Sequence, residues 1–121
     1  MSTETLNLDI PQIVSNKDAP TGELGQQYLA TGKAVALRRW DEQPGQECEP
    51  SSRHYETVGY VVSGQLEVEI DGQRATLGPG DSWLVPAETC HRYRVIKPLV
   101  AIEATSPPAR FADRDLPLTD Q

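Results

Sequence analysis

The stretch that most constrains how this chain folds is RHYETVGYVVSGQLEVEIDGQ, residues 53–73. Val58, Tyr60 and Val62, then Leu66, Val68 and Ile70, recur at every second residue. That is the period of a half-buried strand, whose side chains alternate between its two faces. Glu67 and Glu69 fall on the opposite face of the second run, and Ser63-Gly64 and Asp71-Gly72 punctuate its ends. Asp-Gly is a favoured pair for a two-residue hairpin, because both central residues of that turn need positive φ. The stretch therefore predicts two antiparallel strands. Gly78-Pro79-Gly80 then marks a turn, SWLVP (82–86) a short apolar strand, and HRYRV (91–95) a further alternating strand. Upstream, 28–31 and 33–40 read as strands. Downstream, LVAIEA (99–104) reads as one, with Glu103 inside it, and Pro107-Pro108 stops regular structure. No stretch has the period of a long amphipathic helix, so the expectation is an all-β chain.

At 121 residues and 37% apolar content, one domain with one modest core is expected. A net charge of −7, spread along the chain, argues against a nucleic-acid partner, which would need a basic face, and reads as a solubility feature. No apolar run has the length of a membrane span. The opening MSTETLNLDIPQ lacks the basic and apolar regions of a signal peptide, which predicts a cytoplasmic protein. Cys48 and Cys90 do not make a disulfide framework. Residues 1–27 read as an arm in which Leu6, Leu8 and Ile10 form either a short strand or part of a loose segment. Residues 41–50, rich in Pro and acidic residues, read as a surface loop. Residues 107–121 read as a charged tail that is either anchored in part by Phe111 and Leu116 or frayed.

The spacing of these residues resembles the cupin superfamily, small β-barrels of jelly-roll type. Its first motif is Gly, five residues, His, one, His, three or four, Glu, six, Gly; Gly45, Ser51, Arg53, Thr57 and Gly64 fall on that spacing. Its second motif is Gly, five, Pro, one, Gly, two, His, three, Asn; Gly80, Pro86, Glu88, His91 and Val95 fall on it. The resemblance covers residues 28–106. It implies a single-domain cupin barrel, a double-stranded β-helix, similar to small bacterial cupins of unassigned activity that pair as homodimers. It names no reaction, since one fold hosts many activities.

Metal-binding cupins resemble a cup whose three His and one Glu point inward onto a divalent ion, an arrangement suited to imidazole and carboxylate ligands. Carried onto this chain, the first two His positions hold Ser51 and Arg53, the Glu position holds Thr57, and His91 alone keeps its type. The expectation is that the usual metal site is degenerate and no cofactor is bound. The alternative is a divalent transition metal on a shifted set, His54, Glu56 and His91, which needs a β-bulge near Tyr55 to turn the first two inward. Cys90 beside His91 is read as an inert thiol, because neighbours on a strand face opposite ways.

The residues expected to line a ligand pocket are Arg53, Thr57, Gly59, His91 and Tyr93. His91 offers an acid/base or hydrogen-bonding group that titrates near neutrality. Arg53 is a permanent cation needing a carboxylate partner, either Glu56, Glu103 or an anionic ligand. Tyr93 shares the strand face of His91, and small Thr57 and Gly59 leave room in the cup if they point inward. The leading expectation is a protein that binds a small polar or anionic molecule. The alternative is a metal-dependent dioxygenase or isomerase. A metal-free epimerase using His91 and Tyr93 ranks last, because those two residues share one face rather than opposing each other across a substrate.

Overall fold

The computed structural model describes residues 8–45, 48–111 and 114–115. Among these, six strands form one antiparallel sheet: β1 (Gln27–Thr31), β2 (Ala36–Glu42), β3 (Glu56–Ile70), β4 (Gln73–Leu77), β5 (Ser82–Val85) and β6 (His91–Ser106). The helical content is one 3-10 turn, Asn16–Asp18, so the all-β expectation holds. The strand order is β1-β2-β6-β3-β4, with β5 also on β3. No helix among the described residues is long and apolar enough to cross a membrane. Leu8–Ile10 form a turn and bend rather than a strand, and Leu6 and Leu116 lie outside the described residues.

The two long strands β3 and β6 form the spine. Their pairing runs from Glu56↔Ser106 to Ile70↔His91. β5 adds to the first half of β3 (Thr57↔Val85 to Tyr60↔Ser82) and β4 to the second half (Leu66↔Leu77 to Ile70↔Gln73). The β3–β4 hairpin turns at Asp71 and Gly72, both at positive φ (49° and 81°), as the Asp-Gly pair predicts.

Ser63-Gly64 is not a turn between two strands. β3 runs straight through it, and the pairing with β6 is interrupted by register shifts between Val61 and Leu66. Gly64 sits at φ 91°, and a Cβ there would lie 2.0 Å from the Pro98 carbonyl oxygen of β6. A glycine absorbing a bulge bends the strand and changes which side chains face inward. Thr57, Gly59 and Val61 are buried before the bulge, and Leu66 and Val68 after it. Val58, Tyr60 and Val62, which share the parity of Leu66, Val68 and Ile70, are therefore half exposed on the outer face. The period was right; the bulge inverted its phase.

The core is Val61, Leu66, Val68, Trp83, Val85, Val95, Leu99 and Ala101, with Ile70, Leu77 and Tyr93 packed against it. Outside the second half of β3, Glu67 and Glu69 meet Arg74 of β4 and Arg92 and Arg94 of β6 in an ion-pair lattice. That face is solvated, whereas the concave face opens into a cavity.

Candidate functional site

The cavity measures about 620 Å³. Its charged wall comes from adjacent strands. Arg38 of β2 and Glu103 of β6 are direct register partners and both point inward. Arg38 Nε donates to Glu103 Oε1 at 2.8 Å, and Trp40 Nε1 donates to the same oxygen at 2.7 Å. The Arg38 guanidinium lies over the rings of Trp40 and Tyr55, 5.1 and 5.4 Å from their centroids. Burial opposes the charge on Arg38, but the charges around it, Glu103 first, hold its pKa well above the usual value. An ion pair this deep persists only because its hydrogen bonds are satisfied.

The remaining donors of this wall converge on Asp115. Arg38 Nη1 donates to both carboxylate oxygens (2.7 and 2.8 Å), Tyr55 Oη to Oδ1 (2.5 Å), and Tyr28 Oη and Gln26 Nε2 to Oδ2 (2.9 and 2.6 Å). Burial raises the Asp115 pKa, and the charge of Arg38 with the hydrogen bonds from Tyr55, Arg38 and Gln26 outweighs it, leaving the group below its ordinary value. Tyr28 is pushed up to about 12, chiefly by burial and then by Asp115. Burial likewise raises Tyr55, so both phenols stay protonated as donors.

His91, Tyr93 and Trp83 also line the cavity. His91 Nδ1 lies 2.9 Å from the Thr89 carbonyl oxygen. A carbonyl only accepts, so Nδ1 carries the proton and Nε2 of the neutral ring is the acceptor. Burial lowers the His91 pKa; the bond to Thr89 opposes this and the charge of Arg53 adds to it. Trp83 Nε1 donates to Tyr93 Oη at 3.2 Å, and the Tyr93 ring meets His91 edge-on at 5.4 Å. Burial, then Glu103, raises the Tyr93 pKa.

Of the five residues expected to line a pocket, Arg53, His91 and Tyr93 border this cavity, and Thr57 and Gly59 do not. Both small residues face inward, but Trp83 covers Gly59: a Cβ there would lie 2.2 Å from the indole. The space left by the missing side chain is filled by Trp83 and not by the cavity. Among the described residues Arg53 meets no side-chain carboxylate. Its Nε donates to the Asp115 backbone oxygen (2.9 Å) and its Nη1 to Ser51 Oγ (2.7 Å) and the Ser52 oxygen (3.4 Å). Glu103, named as one partner for it, is taken by Arg38.

The shifted metal set is not assembled. The side chain of His54 is 63% exposed and turns to Glu88, 3.3 Å away on the outer rim, and Glu56 is exposed. No bulge near Tyr55 turns them in; Tyr55 itself is the buried residue of that stretch. Among the described residues no three His, Cys, Asp or Glu side chains are grouped to hold a metal ion. The motif positions hold Ser51, Arg53 and Thr57 instead, and a fixed guanidinium beside His91 repels a cation. This donor set does not fit the family's divalent metal.

Arg38, Tyr55 and Asp115 were not anticipated. Glu103 did give a signal, a carboxylate inside an apolar strand, which when buried requires a cation. Arg38 was legible only as its cross-strand neighbour, and Asp115 reaches the site from outside the sheet.

The Cupin domain family model matches residues 38–104, more than half the chain. The chain is a cupin. Solved structures similar to this cupin include KdgF from Halomonas sp., 27% identical, with a TM-score of 0.72 over 86% of this chain and 98% of that one. An RmlC-like cupin from Shewanella frigidimarina is 22% identical, with a TM-score of 0.72 over 81% and 92%. Salicylate 1,2-dioxygenase from Pseudaminobacter salicylatoxidans is 18% identical, with a TM-score of 0.58 over 61% of this chain and 21% of that one. No curated protein matches the cupin. The last two likenesses concern the fold alone; the neighbours include enzymes, and the fold is common to them.

Proposed function

We propose that this cupin binds a small anionic molecule in its cup and does so without a metal. The observation that carries the reading is the replacement of the motif's metal ligands by cationic and hydroxyl chemistry: Arg53 and Ser51 are hydrogen-bonded to each other at the cavity wall. A guanidinium recognises carboxylate or phosphate groups by paired, charge-assisted hydrogen bonds. His91, bridged through its backbone to Ser51, and Tyr93 supply an acceptor at Nε2 and a donor hydroxyl beside Arg53 and Ser51, and the Trp83 and Trp40 rings supply apolar surface. A cavity of about 620 Å³ fits the range typical of small-molecule sites. The test is a thermal-shift screen of chelator-treated protein against small carboxylates, phosphates and neutral polyols. Anions should raise the melting temperature, and Arg53→Gln should remove most of the shift. Shifts from neutral compounds alone would contradict the reading.

The reading includes a homodimer. The outer face of the sheet carries a registered apolar row, Leu37–Ala104–Val58–Leu84, flanked by Ile102 and Tyr60. Leu37, Val58, Tyr60 and Leu84 are each 40–51% exposed. A patch this continuous across four strands is suited to a self-complementary partner, because two copies related by a two-fold axis cover it sheet on sheet. Sedimentation should show a dimer that Val58→Asp converts to monomer; a wild-type monomer would contradict this part.

A further inference from the structure

The donors around Asp115 form a complete carboxylate receptor. Arg38 presents one nitrogen to both oxygens, and Tyr55, Tyr28 and Gln26 close on them from three more directions. Every donor is fixed by the sheet or packed against it: Arg38 by its ion pair to Glu103, Tyr28 on β1, Gln26 and Tyr55 by their burial. The acceptor comes from outside the sheet, and Asp115 itself borders the cavity. If Asp115 withdrew, Arg38 would keep Glu103 and Gln26 would keep Tyr28 Oη, while the Tyr55 and Tyr28 phenols would lose their acceptor in a partly buried place. Leaving buried donors unmatched is costly, so the vacated site would select another carboxylate. Arg53 ties the same residue down through its backbone oxygen, and Arg53 is also the cation of the proposed ligand wall.

We propose that Asp115 is a built-in occupant of a carboxylate-binding site, and that a small carboxylate ligand binds the cup by displacing it. This rests on the reading of the cup as an anion receptor and narrows it. The ligand class is a carboxylic acid whose carboxylate replaces that of Asp115 between Arg38, Tyr55, Tyr28 and Gln26. Its remainder extends toward His91 and Tyr93. The two binders are mutually exclusive, so apparent affinity is reduced by the fraction of molecules in which Asp115 holds the site.

The probe is acetate, titrated calorimetrically at neutral pH into the full-length chain with chloride at matched ionic strength as control. Asp115→Ala should bind acetate at least ~10-fold more tightly than the wild type. Adding Tyr55→Phe should weaken that gain several-fold. In the wild type, acetate should speed tryptic cleavage at Arg114–Asp115, a readout that stands even if Asp115→Ala fails to fold. Equal acetate affinity in the two proteins, or cleavage unaffected by acetate, would overturn the displacement. If both proteins bind acetate equally and Arg53→Gln weakens both, the anion-receptor reading survives and the displacement falls. If no anion binds either protein, both fall.

Discussion

Arg38 and Glu103 are each less than a tenth exposed, and removing one partner strands the other. Arg38→Ala would leave the Glu103 and Asp115 carboxylates buried without their cation. The expected loss is about 3–5 kcal/mol in denaturant unfolding, the usual cost of breaking a buried pair. Arg38→Met, which fills the space but not the charge, should lose nearly as much, because both carboxylates remain. His91 makes a separate prediction. Its pKa is lowered in the folded chain, so the folded state binds its proton less readily than the unfolded state. The sign is that of a depressed group: its contribution is full above the ordinary histidine value, about 6.5, and is lost as pH falls through the folded pKa. Unfolding measured across that window should show stability falling with acid, and His91→Gln should flatten the slope. An unchanged slope in the variant would assign it to other groups. At this scale the sequence was partly readable. His91, Tyr93 and Arg53 could be placed by motif position, and Glu103 by its apolar surroundings. Arg38 looked like one of several alternating strand residues, and nothing local marks Asp115, whose partners are 60 or more residues away.

The β3–β6 ribbon owes its shape to one glycine. Gly64→Ala would force a side chain into the Pro98 carbonyl and hold a non-glycine residue at φ 91°. Backbone strain and the clash together should cost about 2–4 kcal/mol. The bend aims the second half of β3, so the loss should come with a loosened cavity, readable as weaker anion-induced stabilisation. A variant as stable as the wild type would mean that the bulge is not under this constraint. The same residue shows why elements were more legible than their faces. Alternation, Asp-Gly and Gly-Pro-Gly located strands and turns, with ends moved by a few residues: 33–40 became Ala36–Glu42. A bulge adds its residues without a distinctive sequence, because Ser-Gly serves a turn and a bulge equally. Local patterning therefore could not reveal that Val58 and Leu66 face opposite ways. The position read as Gly in the second motif holds Glu88, which keeps positive φ (63°) there. The backbone form of the motif thus survives although its residue type does not.

For the whole molecule, the fold is the family's and the cup's chemistry is altered. The barrel retains the motif glycines Gly45, Gly64 and Gly80, Pro86 and His91, while Ser51, Arg53 and Thr57 stand where ligands would be. Arg38, Glu103 and Asp115 give the interior a paired charge network instead of a convergent ligand cage. Such a network gives a divalent cation no three-ligand grouping among the described residues, and its hydrogen-bond donors are of the kind the proposed anion would use. Metal content measured by elemental mass spectrometry, on protein purified without an affinity tag and never exposed to chelator, tests this most directly. Iron, manganese, nickel and zinc are expected far below one per chain in a folded protein, with no change in His91→Ala. Near-stoichiometric metal that disappears in His91→Ala would contradict this, and would show that the cup is a metal centre after all.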